Sequence, residues 1–311
     1  ALTLKIGEVT YTYTNQSFDA ITLVYIPDAM YQNERVTKAE VTADKSAVIK
    51  LDDGEENTVE IKGNGSAADK VTVERRTSDK KAEVKLPSGT KAKVFGHEVD
   101  TAPAGGVTVG QRNAVDTKYP DRDYIVIAVA GEKVTVDGIE YVATENNQKF
   151  YLGTFKAIVT IGSNAEITSG QKQTDVGYLK TYTVKISPKA DYDLDQDNFM
   201  VTMKESDTGT VKNLTFADVC SVDPADGSIT VTIPNVSGDI TVNAAAKRQM
   251  TTLKVTGLVA GSAKGSFKAV DASGNEYKLE RDGSINVNRN EELTLIFTPN
   301  DFSNPYYSDL T

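Results

Sequence analysis

Apolar and polar residues alternate along most of this chain with a period of two. Segments in which every second side chain is apolar include residues 2–6, 9–13, 71–74, 82–86 and 133–136. Successive side chains of a β-strand point to opposite faces of a sheet, so these segments are expected to be half-buried strands. Helical spacing is weak and limited to residues 18–21 and 216–219. The pattern predicts an all-β chain.

Short connections rich in glycine, asparagine and aspartate separate the predicted strands. Turn dipeptides occur at Asp53-Gly54, Asn64-Gly65, Asp137-Gly138, Asp226-Gly227, Gly238-Asp239 and Asp282-Gly283. These residues tolerate positive φ and are typical of tight hairpins. Short strands, regular turns and the lack of a long helical pattern predict β-sandwich domains arranged in a row.

The length of 311 residues exceeds what one small core requires and favours several domains. We expect four: a β-domain at residues 1–100, a small β-domain at 101–153, a third domain at 154–248 and a fourth at 249–311. The loop 101–106, which reads Thr-Ala-Pro-Ala-Gly-Gly, marks the first boundary.

Two stretches of the chain are near repeats of each other. Residues 181–188 form an alternating segment that ends in Ser-Pro and is followed by Asp191-Tyr192, and residues 293–299 end in Thr-Pro before Asp301-Phe302. After the first copy, alternation continues through residues 229–242, whereas the second copy is followed only by residues up to Thr311. The fourth domain is therefore expected to be incomplete, with an open sheet edge at Leu293, Leu295 and Phe297.

Residues 182–194 and 226–242 resemble the Ig-like repeat modules of bacterial cell-surface proteins, including S-layer, pilus-like and other Gram-positive envelope proteins. In this chain, as in those modules, a strand ends at proline and an acidic-aromatic turn follows. The module then closes on a strand such as Val-Ser-Gly-Asp-Ile-Thr-Val. The resemblance covers roughly half of the chain and does not extend to its first two domains. It implies tandem Ig-like β-sandwich domains and an extracellular location on the bacterial cell surface.

Net charge and the length of the apolar runs argue against two classes of function. A net charge of -10 is unsuited to nucleic acid, which requires clustered lysine and arginine. The longest apolar run, residues 124–130, is too short to span a membrane.

The single cysteine, Cys220, has apolar and small neighbours and is expected to be a buried hydrophobe.

The sequence contains no recognisable catalytic motif, and we do not expect an enzyme. His97 is the only histidine, and no second histidine or cysteine lies near it in the sequence to complete a metal site. The acidic run Asp191, Asp193, Asp195 and Asp197 is the one candidate for calcium, because oxygen ligands two residues apart suit that ion. Alternation also explains this run as a solvated strand face, so we expect no cofactor and keep calcium as the alternative.

The N-terminal alternation suggests how copies could associate. A strand bearing Leu2, Leu4, Ile6, Val9, Tyr11 and Tyr13 has the pattern of a donor strand that could complete the fourth domain of a neighbouring copy. The predicted function is thus a structural subunit of an extracellular bacterial filament or surface array, with copies of itself as partners. The alternative is an adhesin or carbohydrate-binding stalk that recognises a host or cell-wall glycan, for which Tyr306-Tyr307 is the suggestive cluster.

Overall fold

The structure is a computed structural model of the 311-residue chain. It describes residues 2–6, 9–13, 20–25, 30–31, 34–35, 38–43, 46–51, 57–62, 69–76, 78–79, 81–116, 118–205, 209–254, 265–278, 280 and 282–299. The described chain is nearly all β, which confirms the predicted class. Three successive units can be distinguished by their sheets, and we call them the N-terminal sandwich, the middle sandwich and the C-terminal unit.

The N-terminal sandwich consists of two large sheets and one short pair of strands. Its strands are β1 (Leu2–Ile6), β2 (Val9–Tyr13), β3 (Ala20–Tyr25), β4 (Met30–Tyr31), β5 (Glu34–Arg35), β6 (Lys38–Ala43), β7 (Ser46–Leu51), β8 (Thr58–Lys62), β9 (Asp69–Arg75), β10 (Ala82–Leu86), β11 (Lys91–Val94), β12 (His97–Val99), β13 (Val107–Gly110), β14 (Tyr124–Ile127), β15 (Lys133–Val136), β16 (Ile139–Val142) and β17 (Gln148–Tyr151). One sheet has the order β17-β14-β13-β10-β9-β6-β1-β2 and the other β16-β15-β12-β11-β8-β7-β3, while β4 pairs with β5.

From β7 to β16, successive hairpins of the N-terminal sandwich enter its two sheets alternately, so each sheet gains one hairpin at a time. The Asp137-Gly138 turn between β15 and β16 has φ of 52° and 79°, as predicted for a tight hairpin. Alternate residues of both sheets, such as Val84 and Val94, are buried in one common core. The two sheets therefore cover each other over the strands whose side chains are described, from β7 onwards.

Strand pairing in this sandwich crosses the domain boundary expected after residue 100. Strand β10 pairs antiparallel with β13, from Glu83↔Gly110 to Leu86↔Val107. The division of the first 153 residues into two domains stays a prediction.

The middle sandwich contains a second pair of sheets. Its elements are β18 (Thr154–Ile161), β19 (Ala165–Ser169), β20 (Gln173–Gly177), β21 (Tyr182–Pro188), β22 (Tyr192–Leu194), a 3-10 turn (Gln196–Asn198), β23 (Met200–Glu205), β24 (Val211–Leu214), α1 (Phe216–Val219), β25 (Cys220–Val222), β26 (Ile229–Ile233), β27 (Gly238–Ala244) and β28 (Ala246–Arg248). The sheet orders are β20-β18-β27-β23-β24 and β19-β21-β26-β25, and β22 pairs with β28. Strands β18 and β27 run parallel, from Ala157↔Ile240 to Ile161↔Ala244.

One predicted turn of this unit is wrong. Gly238 begins strand β27 and pairs with Glu205 of β23. A Cβ atom on Gly238 would lie 2.1 Å from the carbonyl oxygen of Lys204, so glycine is needed here for close approach of two backbones.

The C-terminal unit is the smallest of the three. It contains β29 (Met250–Lys254), β30 (Gly265–Asp271), β31 (Glu276–Tyr277), β32 (Ser284–Asn288) and β33 (Leu293–Pro299). Strand β29 pairs with β32, and β31-β30-β33 form a second sheet. The buried residues of its core are Ala269, Ile285 and Val287.

Aromatic rings join the N-terminal and middle sandwiches. The ring of Tyr119 lies 4.4 Å from that of Tyr151 and 5.5 Å from that of Tyr178, measured between centroids. Tyr119 also donates its hydroxyl hydrogen to the carbonyl oxygen of Ser237 at 2.6 Å. Buried aromatic contacts of this kind add to the hydrophobic gain and fix the adjoining surfaces.

Candidate functional site

The C-terminal unit repeats the first half of the strand pairing in the middle sandwich. In the middle sandwich, β18 pairs with β20 and β19 pairs with β21, both antiparallel. In the C-terminal unit, β29 pairs with β32 and β30 pairs with β33, also antiparallel. The middle sandwich then adds β27 beside β18 and β26 beside β21. No strand in the described part of the C-terminal unit takes these two places.

Strand β33 has the pattern of a core strand without the cover of one. Aligned on their terminal prolines, the core-facing residues Tyr182, Val184 and Ile186 of β21 correspond to Leu293, Leu295 and Phe297 of β33. Val184 is completely buried, whereas Leu295 is 51% exposed. Strand β26 lies against β21, while the described residues place only β30 beside β33. The same sequence pattern is therefore buried in one unit and partly exposed in the other, where Leu295 is exposed and Leu293 and Phe297 are half-buried.

Strand β29 is the second uncovered strand of this unit. All five of its residues are exposed, including Met250 at 60% and Leu253 at 42%. Its counterpart β18 has a buried alternate row, Phe155, Ala157 and Val159. Strands β29 and β33 thus both carry exposed apolar residues.

The sequence identified Leu293, Leu295 and Phe297 but missed an apolar neighbour on the same strand. Ile296 is 36% exposed and occupies the position at which β21 has Lys185. A hydrophobic residue at a polar position of the repeat was the available clue. Met250 and Leu253 were missed because β29 alternates poorly, and only its exposure identifies it.

The residues predicted to form a donor strand lie on the first two strands. Leu2, Leu4 and Ile6 belong to β1, which pairs with β6 on one side and with β2 on the other. Val9, Tyr11 and Tyr13 belong to β2, which stands at the end of its sheet. Of these two strands, only β2 has an edge that no described strand pairs.

The acidic run is engaged at the junction between the middle sandwich and the C-terminal unit. Its four aspartates are Asp191, Asp193, Asp195 and Asp197. Gln249 donates from Nε2 to Asp193 at 2.9 Å. The other three aspartates each lie 3.3 to 3.9 Å from a cationic nitrogen of Lys247 or Arg289. The side chains of the acidic run thus bind residues of β28 and of the chain that follows it.

His97 connects two carboxylates from different parts of the N-terminal sandwich. Its Nδ1 lies 2.7 Å from Asp137 and its Nε2 lies 3.1 Å from Asp123. Burial alone would lower the pKa of His97, but the hydrogen bonds and charges of Asp123 and Asp137 outweigh it, and the pKa is raised above 6.5. The ring therefore favours the charged form and clamps the hairpin turn at Asp137 to the segment before β14.

A cleft of about 230 Å³ lies beside the junction of the two sandwiches. Its lining includes Tyr141, Phe150 and Tyr178, with Lys180 and Asn235 among the polar groups. All three rings are buried. They pack into the core and leave little ring surface for a sugar to stack on. Burial also raises the pKa of Tyr141 to about 12.

The described residues form neither a metal site nor a membrane-spanning helix. Within the described ranges, no group of three or more histidine, cysteine, aspartate or glutamate side chains is arranged to hold a metal ion. The helices of the described chain are too short and too polar to cross a bilayer.

Comparisons with known proteins place the chain in no family. Models of protein families, curated proteins and solved structures were all compared with it, and none matched.

Proposed function

We propose that this protein is a non-enzymatic structural subunit of an extracellular bacterial filament or surface array. Its copies join by β-strand complementation at the C-terminal unit. The observation that carries the proposal is the accessible strand β33, which matches the fully covered strand β21 of the same chain. A sheet edge with exposed alternate apolar residues is a template for another strand.

The proposal includes tandem Ig-like β-sandwich domains as the building blocks. The middle sandwich supports this part, because its first and last long strands, β18 and β27, are parallel neighbours in a two-sheet unit. The location on the bacterial surface rests on the resemblance of residues 182–194 and 226–242 to surface modules. The glycan-binding alternative gains no support from the cleft, whose rings are buried.

Electron microscopy with matched variants tests the proposed function. The full chain at micromolar concentration is expected to form regular fibres or lattices in negative stain. Leu295→Arg is expected to leave only dispersed particles, because a charge on the core-facing row of β33 would have to be desolvated on strand addition. Val115→Arg is the control, since Val115 is 71% exposed and lies in the N-terminal sandwich.

Two outcomes would contradict the proposal. Dispersed particles of the unsubstituted chain, confirmed by sedimentation, would show that it does not assemble. Equal assembly of Leu295→Arg and Val115→Arg would show that β33 is not the contact. Circular dichroism of each variant checks that its strands are intact.

A further inference from the structure

We propose that the strand added to β33 is β2 of a second copy, which stays in its own sheet and pairs through its free edge. This inference rests on the proposed function and specifies its partner. Strands β2 and β33 would become neighbours in one continuous antiparallel sheet that passes from one copy into the next.

The middle sandwich shows what kind of strand fits at this position. Strand β26 pairs antiparallel with β21, from Tyr182↔Ile233 to Ile186↔Ile229. Its five residues alternate between apolar side chains and threonine, reading Ile-Thr-Val-Thr-Ile, with the apolar ones buried. A partner for β33 should have the same length, direction and alternation, because β33 repeats the pattern of β21.

Strand β2 meets these requirements. It has five residues that read Val-Thr-Tyr-Thr-Tyr, an apolar or aromatic residue at each position where β26 is apolar and threonine at the other two. Among the edge strands of the described chain, β2 alone carries this alternation over five residues. Its Thr10 is exposed.

Pairing through free edges requires neither copy to unfold. Strand β2 keeps its five residue pairs with β1, and β33 keeps its seven with β30. Each strand uses backbone N–H and C=O groups that no described strand pairs, so new hydrogen bonds form without the loss of existing ones. A donor strand that had to leave its sheet would lose that advantage.

The template also fixes the register. Superposing β33 on β21 and β2 on β26 brings Tyr13 opposite Leu293, Tyr11 opposite Leu295 and Val9 opposite Phe297. Aromatic residues opposite aliphatic ones are favourable cross-strand pairs. Tyr11 would cover Leu295, the most exposed apolar residue of β33.

The two strands belong to opposite ends of the chain, which determines the form of the assembly. Strand β2 ends the eight-stranded sheet of the N-terminal sandwich, and β33 belongs to the C-terminal unit. Contact between two different surfaces is heterologous, and each added copy offers a new free surface. The expected product is a head-to-tail row of copies.

Disulfide cross-linking between two variants, each with one added cysteine, tests the register. Tyr11→Cys is mixed with Leu295→Cys, one variant carrying a mass tag, so that the mixed dimer can be identified after mild oxidation. Directly opposed residues of an antiparallel pair have Cα atoms about 4.5 to 5.5 Å apart, which lies within the range of about 4.4 to 6.8 Å that a disulfide spans. Burial raises the pKa of the native Cys220 thiol to about 11, so this thiol reacts slowly and the unsubstituted chain gives the background.

The matched control is Thr12→Cys mixed with Leu295→Cys, because Thr12 follows Tyr11 directly and period-two alternation assigns successive residues of a strand to opposite faces. The mixed dimer is expected to form at least about tenfold faster with Tyr11→Cys than with Thr12→Cys, since only the former meets the distance requirement. A peptide of residues 8–14 should suppress assembly of the unsubstituted chain, while a peptide of the same composition in scrambled order should not. The peptide arm does not depend on the folding of a variant.

Failure of this inference can be told apart from failure of the proposed function. If fibres form but the two cross-links are equal or absent, β2 is not the partner, while assembly at β33 stands. If sedimentation shows a monomer and no cross-link forms, both proposals are wrong.

Discussion

Gly238 shows how a single residue can be mistaken for a turn. Its sequence context, glycine followed by aspartate, is typical of a hairpin, yet the residue opens strand β27. The reason is the space it leaves, because a Cβ would lie 2.1 Å from Lys204 O and 2.8 Å from its carbonyl carbon. Close approach of two strands leaves no trace in the local sequence, so the pattern alone could not distinguish the two roles.

Substituting Gly238 should destabilise the middle sandwich. Gly238→Ala is expected to lower the free energy of unfolding by about 1 to 3 kcal/mol, because the clash is with backbone that can move only by breaking pairs. Gly162→Ala is the control, since the nearest atom to its Cβ would be Ala245 Cα at 3.9 Å. Urea unfolding followed by circular dichroism measures both. Equal stability of the two variants would show that β23 and β27 separate easily.

His97 should make stability depend on pH. The pKa of His97 is raised in the folded protein by Asp123 and Asp137, so its contribution is complete below about pH 6.5. The contribution is lost as the pH rises through the raised pKa. His97→Gln is therefore expected to unfold more easily than the unsubstituted chain at pH 6, by about 1 to 3 kcal/mol, and with a smaller difference at pH 9. A difference of the same size at both pH values would contradict a charged clamp.

At the scale of elements, alternation predicted strands well and their neighbours poorly. Residues 182–186 and 293–297 are strands as expected, and the one-turn helix Phe216–Val219 lies where the helical spacing was seen. The other helical segment fails, because Ala20 and Ile21 belong to β3 and residues 18–19 lie outside the described residues. Period-two alternation assigns a residue to a face of a sheet but does not select the adjacent strand. The parallel pairing of β18 with β27, far apart in sequence, was therefore out of reach.

The same limit of the sequence pattern applies to the candidate site. The repeat of residues 181–188 at 293–299 was enough to identify Leu293, Leu295 and Phe297. What made them a site was the lack of a second neighbouring strand among the described residues, and that depends on which strands pair with β33. The exposure of β29 could not be predicted from the sequence. Two apolar residues, Met250 and Leu253, are an ordinary content for a strand of this length.

The parallel pair β18 and β27 should make the middle sandwich resist force. When the chain is pulled at both ends, Thr154 and Ala244 are drawn in opposite directions along paired strands, and the hydrogen bonds bear the load together. In the C-terminal unit the described strand pairs are all antiparallel, and the buried core consists only of Ala269, Ile285 and Val287, so this unit offers less resistance. Single-molecule pulling is expected to unfold the C-terminal unit first. Release of the middle sandwich at the lower force would contradict this reading of the topology.

At the scale of the whole molecule, charge opposes the proposed assembly and apolar surface favours it. The chain has 34 lysine and arginine residues against 44 aspartate and glutamate residues, a net charge of -10. Copies of the same sign repel one another. The proposed contact consists of apolar residues, tyrosines and threonines, so it gains nothing from that field. Salt should therefore promote assembly.

The expected effect is a several-fold fall in the concentration needed for assembly when NaCl is raised from about 0.01 M to about 0.15 M. Over that range the screening length falls from about 30 Å to about 8 Å, which removes most of the repulsion between exposed charges on neighbouring copies. Light scattering against protein concentration measures the threshold, and Leu295→Arg should stay dispersed at both ionic strengths. If salt instead dissolved the assemblies, ion pairs between copies would have to hold them together. The apolar strand β33 could then not be the principal contact, because its exposed residues carry no charge to be screened.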